Sequence, residues 1–184
     1  MIEYDFKWLT LADLEKQQAL EDAVMEKLTA SGREHFFTPL SQDRKIDIIK
    51  RGDLIAGLWQ QGELVGQMVV EEAVFPNTFF ENYTADSASS LGVSSTEAYY
   101  LRNSLMHPAM QGKKMLEDMF EWIVHSLSAS HDYYTVIHPA NVPSIRLGQH
   151  IGFAPAGSLV RLKDGQEMNL YKRLSLQAAE KLVA

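Results

Sequence analysis

A turn that binds phosphate needs unpaired backbone N–H groups, a backbone that can come close, and positive charge. Residues 99–127 offer all three. An apolar run from Tyr99 meets Pro108, Gly112, Lys113 and Lys114, and a strong helical pattern follows at once. A helix start exposes unpaired N–H groups and a partial positive charge, which suit an anion such as a phosphate. Gly112 permits close approach, and the two lysines add charge. The spacing is not that of a Walker loop. Many strand-to-helix turns carry a glycine and a lysine, so an ordinary structural turn stays open.

Side chains that could move a proton lie on either side of this turn. His107 sits at a strand end, where it could relay a proton or bond a phosphate; a turn residue before Pro108 is the competing reading. His138 ends the next strand, three residues before Asn141. An imidazole titrates near pH 6.5, which suits a base that deprotonates an amine. Capping the loop before Pro139 competes with that role. Glu97 opens the strand that His107 closes, and Glu71 and Glu72 end the one before. Any of these could hold a water or take a proton, or could be a solvated strand-end carboxylate. Tyr99 and Tyr100 must point to opposite faces, and so must Tyr133 and Tyr134; sequence does not choose which is inward. The six histidines show no His-x-x-x-His pair, so no metal site is expected.

These groups must be held by a framework, and the hydrophobic pattern supplies one. Thr10 to Asp13 reads as a capping box opening a helix to about Thr29, with Leu20, Val24 and Leu28 inward. Gly32 is its expected stop. Ser41 opens a second helix, with Ile46 and Ile49 inward and Gly52 at its end. Leu54–Gln60 and Leu64–Glu71 read as a hairpin turning at Gln61-Gly62-Glu63. Glu97–Met106 reads as a strand and 113–127 as the best helix, burying Met115, Met119, Trp122, Ile123 and Leu127. Tyr133–His138 is a strand, Val142–Ile151 a short helix stopped by Gly152, and 153–162 with 167–174 a hairpin turning on Asp164-Gly165. The tail from Ser175 reads as helical. Helices, hairpin, strand, helix, strand, helix and hairpin make an α/β or α+β domain on one central sheet. Residues 72–96 form a long insertion. Its Phe75, Phe79, Phe80 and Tyr83 could form a lid or acceptor pocket, or could pin the loop to the domain.

The chain of 184 residues fits one domain, 1–184, able to fold without staples, and it has no cysteine to make any. Absence of cysteine excludes disulfides and thiolate zinc sites and favours a reducing, cytoplasmic setting. The acidic, mixed start is unlike a signal peptide, and no apolar run approaches the ~20 residues of a membrane span. A net charge of −7 argues against nonspecific nucleic-acid binding, which needs clustered cations. An acidic surface suits an amine-bearing partner, or solubility alone.

Three blocks then carry a family resemblance. Met106-His107-Pro108-Ala109-Met110-Gln111-Gly112-Lys113 resembles the acyl-CoA loop of the GNAT acyltransferase superfamily, V-x-P-x-Y-R-G-K-G-x-G. Asn141-Val142-Pro143-Ser144-Ile145-Arg146-Leu147-Gly148-Gln149-His150-Ile151-Gly152-Phe153 resembles the family's N-x-x-A-x-x-L-Y-x-x-x-G-F. The hairpin from Leu58 to Gly66 resembles its second and third strands. Together they span most of the chain after about Leu54.

The resemblance implies a mixed central sheet, flanked by helices, whose fourth and fifth strands splay apart around acetyl-CoA. The pantetheine arm would pair with the fourth strand at about Asn103, Leu105 and Met106. Amides from Gln111, Gly112, Lys113, Lys114, Met115 and Leu116 would hold the pyrophosphate. Asn141 would sit near the pantetheine arm, with Ser144 close by. Catalytic candidates are His138, Glu97 and His107. The expected reaction is acetyl transfer to a primary amine by direct attack; a catalytically silent acyl-CoA binder or a partner-binding domain is the alternative. Two departures stand out. Lys114 and Leu116 replace the loop's usual small residues, and Gly148 stands where the family often carries a tyrosine general acid. The acceptor amine, the acyl length and the assembly, monomer or homodimer, stay open.

Overall fold

The computed structural model describes residues 4–52, 54–72, 83, 98–110, 114–127 and 131–173. Their strands form one mixed sheet, β1 (Asp5–Trp8), β2 (Leu54–Gln60), β3 (Glu63–Glu72), β4 (Ala98–Met106), β5 (Asp132–Ile137), β6 (Ala154–Val160) and β7 (Glu167–Arg173), in the order β1-β2-β3-β4-β5-β7-β6. The α-helices among the described residues are α1 (Leu14–Ala30), α2 (Gln42–Arg51), α3 (Met115–Leu127) and α4 (Val142–His150). The expected mixed α/β class is therefore the one observed. Expectations for 73–82, 84–97 and the tail from 174 fall outside the described residues. Contacts group the chain into two compact units, Met1–Glu71 with Arg102–Ser126 and Glu72–Leu101 with Leu127–Ala184.

In the first unit, local sequence fixes the helix ends. The Asp13 carboxylate accepts from the Thr10 N–H at 2.9 Å, starting a 3-10 turn that runs into α1. The Ser41 hydroxyl accepts from the Arg44 N–H at 3.2 Å, and Gly52 at φ 85° closes α2. The β2–β3 turn uses Gln61 at φ 51° and Gly62 at φ 82°. Positive φ at both central residues gives the twist that suits a two-residue hairpin. Leu20 and Val24 of α1 and Ile48 of α2 pack with Leu9, Ile55, Leu64, Val69 and Leu105. Ile48 is fully buried, whereas the expected Ile46 and Ile49 are only partly so. On α3, Phe120 and Val124 are buried with Met115, Met119 and Ile123, while Trp122 is half-buried. The Trp122 ring lies against Phe6 at 5.9 Å and Trp8 at 4.7 Å. β1 was not expected from sequence, because four residues in an acidic start give too short an alternation to read.

One polar pair lies inside this core. Lys45 and Glu21 are both fully buried, with Nζ and Oε2 2.7 Å apart. Gln67 donates to the other Glu21 oxygen at 3.2 Å, and Lys45 donates to Gln18 at 2.9 Å. The pair therefore ties α1, α2 and β3 together.

In the second unit, β5 pairs parallel to β4 from Ala98↔Asp132 to Leu101↔Thr135 and antiparallel to β7. Tyr100 and Tyr134 enter a core with Ala98, Leu159 and Leu170. Tyr133 is also buried, which pushes its hydroxyl up to about 12; a charge on Tyr99 would add to the rise, and Arg173 opposes it. Lys172 is lowered by burial, but hydrogen bonds to Asp132 and Tyr134 outweigh this and leave it raised.

Two outcomes are expected. Lys45→Ala strands a buried carboxylate and should cost about 3–5 kcal/mol in urea unfolding, more than the double change Glu21→Leu with Lys45→Met. A raised tyrosine pKa contributes stability that is complete below pH 10.0 and lost as pH climbs to about 12. Urea midpoints across that window should fall in the wild type and fall less in Tyr133→Phe, the remaining slope belonging to groups such as Lys172.

Candidate functional site

The end of β4 and the start of α3 carry most of the expected site. Leu105 and Met106 are buried. The His107 N–H donates to the Val65 carbonyl at 2.8 Å, so β4 is still held by β3 at its last residues. A 3-10 turn, Pro108–Met110, follows. Gln111, Gly112, Lys113 and the catalytic candidate Glu97 lie outside the described residues. Lys114 is exposed, and its carbonyl accepts from the N–H groups of Glu117 and Asp118, both at 3.1 Å. Lys114 thus works as the residue that opens α3. Met115 points into the core, so only its backbone is available to a ligand. Glu117 and Asp118 place two carboxylates in the first turn, where they compete with any anion for the helix dipole.

Asn103 is the unusual residue of β4. Its φ is 49°, and it stands two residues past Leu101, where the recorded pairing with β5 ends. A residue other than glycine rarely takes this conformation, and asparagine tolerates it best. It turns the strand locally, as a bulge does. The Asn103 side chain donates to the Thr38 carbonyl at 3.4 Å, in the segment between α1 and α2.

His107 and His138 share a local geometry that sequence reading missed, although the signal was plain: both begin a His-Pro-Ala tripeptide after a strand. In each, the ring Nδ1 accepts from the alanine N–H two residues on, Ala109 at 3.3 Å and Ala140 at 3.0 Å. An accepting Nδ1 puts the proton of the neutral ring on Nε2. The His138 Nε2 meets the Gln166 amide nitrogen at 2.5 Å, and turning the amide oxygen to the ring would take it from Arg161, from whose Nη2 it accepts at 2.7 Å. Both His138 nitrogens are thus engaged in this conformation. The bonds match the loop-capping reading, and a basic role requires the Ala140 contact to open. Asn141 caps α4, its Oδ1 accepting from the Ser144 N–H at 3.4 Å. Gly148 is buried, and a Cβ there would meet Ile137 and Phe153 at ordinary contact distances of 3.7 and 3.8 Å.

Elsewhere, a cavity of about 360 Å³ lies between α1, the start of β3 and the turn after β4, lined by Lys16, Leu20, Glu63, Leu64, His107 and Met110 among others. Tyr100 is the inward member of its pair, while Tyr99 is half-buried beside His131 at 4.9 Å. Glu71 proves to be an ion-pair hub, meeting Arg44 at 2.9 Å, Arg102 at 3.3 Å and Arg51 at 3.7 Å. Sequence reading singled out Glu71 but none of its three partners, which come from two elements far apart in the chain. Among the described residues, no group of three acidic or histidine side chains is placed to hold a metal, and no helix is long and apolar enough to cross a membrane.

No family model and no curated protein matches the sequence. Solved structures do match its fold. A GNAT-family acetyltransferase from Streptococcus agalactiae superposes with a TM-score of 0.72 over 95% of this chain and 97% of the other, at 13% identity. The chain has the GNAT acetyltransferase fold. The yncA protein of Salmonella typhimurium, solved with acetyl-CoA, gives a TM-score of 0.64 at 14% identity and covers 94% of both chains. The ribosomal-protein-S18-alanine N-acetyltransferase of Escherichia coli gives 0.65 at 15% identity, again over 94% of both. On the GNAT fold, Asn103 lies in the strand that the sequence resemblance assigned to the pantetheine arm.

If the left-handed backbone at Asn103 is built into the fold, side-chain shape there must matter. Asn103→Val should be less stable than Asn103→Gly by about 1–2 kcal/mol in urea unfolding, because a β-branched residue resists positive φ.

Proposed function

We propose that this chain is an N-acyltransferase of the cytoplasm that moves an acetyl group from acetyl-CoA to a primary amine. The observation that carries the reading is the left-handed turn at Asn103, just past the last β4 residue paired with β5. Backbone groups released from a ladder need partners. In this reading, β4 amides around Asn103 to Met106 bond the pantetheine arm and polarise the thioester carbonyl as charge develops on its oxygen. The start of α3, with Lys114 and the amides of Met115 and Leu116, neutralises the diphosphate. The likeness to a protein solved with acetyl-CoA supports the same assignment.

The amine attacks directly, held in place by the fold. The leaving thiol has an ordinary pKa of about 8.5, so it departs as a thiolate without a strong acid. That relieves the absence of a tyrosine at Gly148. The amine proton passes to a water held near Glu97, or to His138 once its contact with Ala140 opens; His107 bonds or relays at the phosphate end. A second reading has a specific observation behind it. Gly148 offers no acid and both His138 nitrogens are engaged, so a silent acyl-CoA binder is the alternative.

Calorimetry with acetyl-CoA and thiol release with a panel of amines test both. Saturable binding with thiol release is the expected result, and Lys114→Glu should weaken acetyl-CoA binding about tenfold, since a charge-assisted hydrogen bond is lost. Binding without release under every amine selects the silent reading. No binding removes both.

A further inference from the structure

The turn between β6 and β7 is tied together around one arginine. Arg161 donates to both oxygens of Asp164, from Nε at 3.0 Å and from Nη2 at 2.6 Å. The same Nη2 donates to the Gln166 side-chain oxygen at 2.7 Å. Backbone bonds close the turn: the Gly165 N–H donates to the Arg161 carbonyl at 2.8 Å, and the Arg161 N–H to the Gln166 carbonyl at 2.9 Å. The Gln166 amide is therefore oriented. Its oxygen belongs to Arg161, and its nitrogen, a donor, faces His138 Nε2.

His138 thus meets a donor at each ring nitrogen, the Ala140 N–H at Nδ1 and the Gln166 amide at Nε2. A neutral imidazole has one lone pair and one N–H, so it cannot accept from both. The ring has a further contact as well, which does not change that count. One of the two donors must give way. Turning the Gln166 amide would break its bond to a charged guanidinium and set amide N–H groups against those of Arg161. Hydrogen bonds to ionised groups are roughly twice as strong as neutral ones. Releasing Ala140 breaks one neutral bond, at 3.0 Å, and Ala140 is exposed, so its N–H turns to water. The Ala140 bond is the weaker of the two.

We infer that Gln166, oriented by Arg161, is the positioning residue that sets the tautomer of His138, with the ring proton on Nδ1 and the lone pair on Nε2. The tautomer rests on the turn alone; its use in proton transfer rests on the acyltransfer reading. In this tautomer the Ala140 contact opens, and Nε2 is the nitrogen that takes the amine proton. As the amine nitrogen bonds the thioester carbon, one of its N–H bonds breaks and the electron pair stays on nitrogen. An Nε2–H bond forms in place of the contact with Gln166, and the resulting imidazolium passes a proton to solvent.

A long-range nitrogen–proton correlation spectrum of the neutral ring reads which nitrogen carries the proton. The wild type should show Nδ1–H at His138. Gln166→Leu removes the donor at Nε2, and Arg161→Met frees the amide to turn its oxygen to the ring. Each should shift the tautomer ratio toward Nε2–H about tenfold or more. A wild-type ring protonated at Nε2 overturns the inference, as does a ratio that either folded variant leaves unmoved. In thiol release from acetyl-CoA, Gln166→Leu should lower kcat about tenfold while acetyl-CoA affinity stays constant. A switched tautomer with unchanged kcat overturns the proton-transfer role of Nε2. If no amine releases thiol in the wild type, the acyltransfer reading has failed, and the spectrum alone decides the tautomer.

Discussion

The positive φ of Asn103 is the constraint on which the rest of the candidate site depends. Left-handed backbone at a residue other than glycine costs about 1–2 kcal/mol, so the surrounding structure must hold it. Two features do so. The side chain bonds the Thr38 carbonyl, and the strand is pinned further on by the His107 N–H on Val65. β4 is thus regular in its pairing with β5 up to Leu101, irregular at Asn103, and anchored to β3 again at its end. A strand built this way presents backbone groups that a continuous ladder would have consumed. In the proposed reading, those groups bond the acyl-CoA without spending side chains on it.

The same logic explains why α2 lies where it does. Its inward face carries Ile48 and Lys45, three residues apart. Ile48 joins the apolar core, and Lys45 meets Glu21 of α1. A buried ion pair adds little net stability over an apolar replacement, but separating it is costly. Its value here is therefore orientation: α2 seats only where Lys45 reaches Glu21. That seating carries Arg44 and Arg51 to Glu71, where they join Arg102. One buried pair thus sets the position of the ion-pair hub at Glu71.

Periodicity made the framework legible. Leu20 and Val24 on α1, the capping residues Thr10 and Ser41, the paired positive φ at Gln61-Gly62 and the Gly165 turn all act through local sequence, and local sequence displays them. Polar residues on apolar faces were harder to read. Lys45 and Glu21 occupy inward positions, and sequence habit treats charge as solvated, so Ile46 and Ile49 were expected inside where Ile48 and Lys45 are. The Glu71 hub was hidden for another reason. Its partners Arg51, Arg44 and Arg102 sit 20, 27 and 31 residues away, and nothing local announces such a meeting. The turn at Asn103 was invisible because asparagine in a strand pattern does not reveal its φ. The repeated His-Pro-Ala, by contrast, was on the surface of the sequence and needed only the knowledge that an imidazole can cap its own turn.

That capping has a chemical consequence. An Nδ1 that accepts from a backbone N–H has its lone pair engaged, so neither His107 nor His138 offers that nitrogen as a base in this conformation. Gly148 offers no hydroxyl. In the proposed acyltransfer, deprotonating the amine then falls to solvent or to a conformational opening at His138. A thioester asks for less help at its leaving group than at the incoming amine. For the proposed acyltransfer, the demanding requirement is therefore an amine that arrives neutral, because only its free lone pair can attack the thioester.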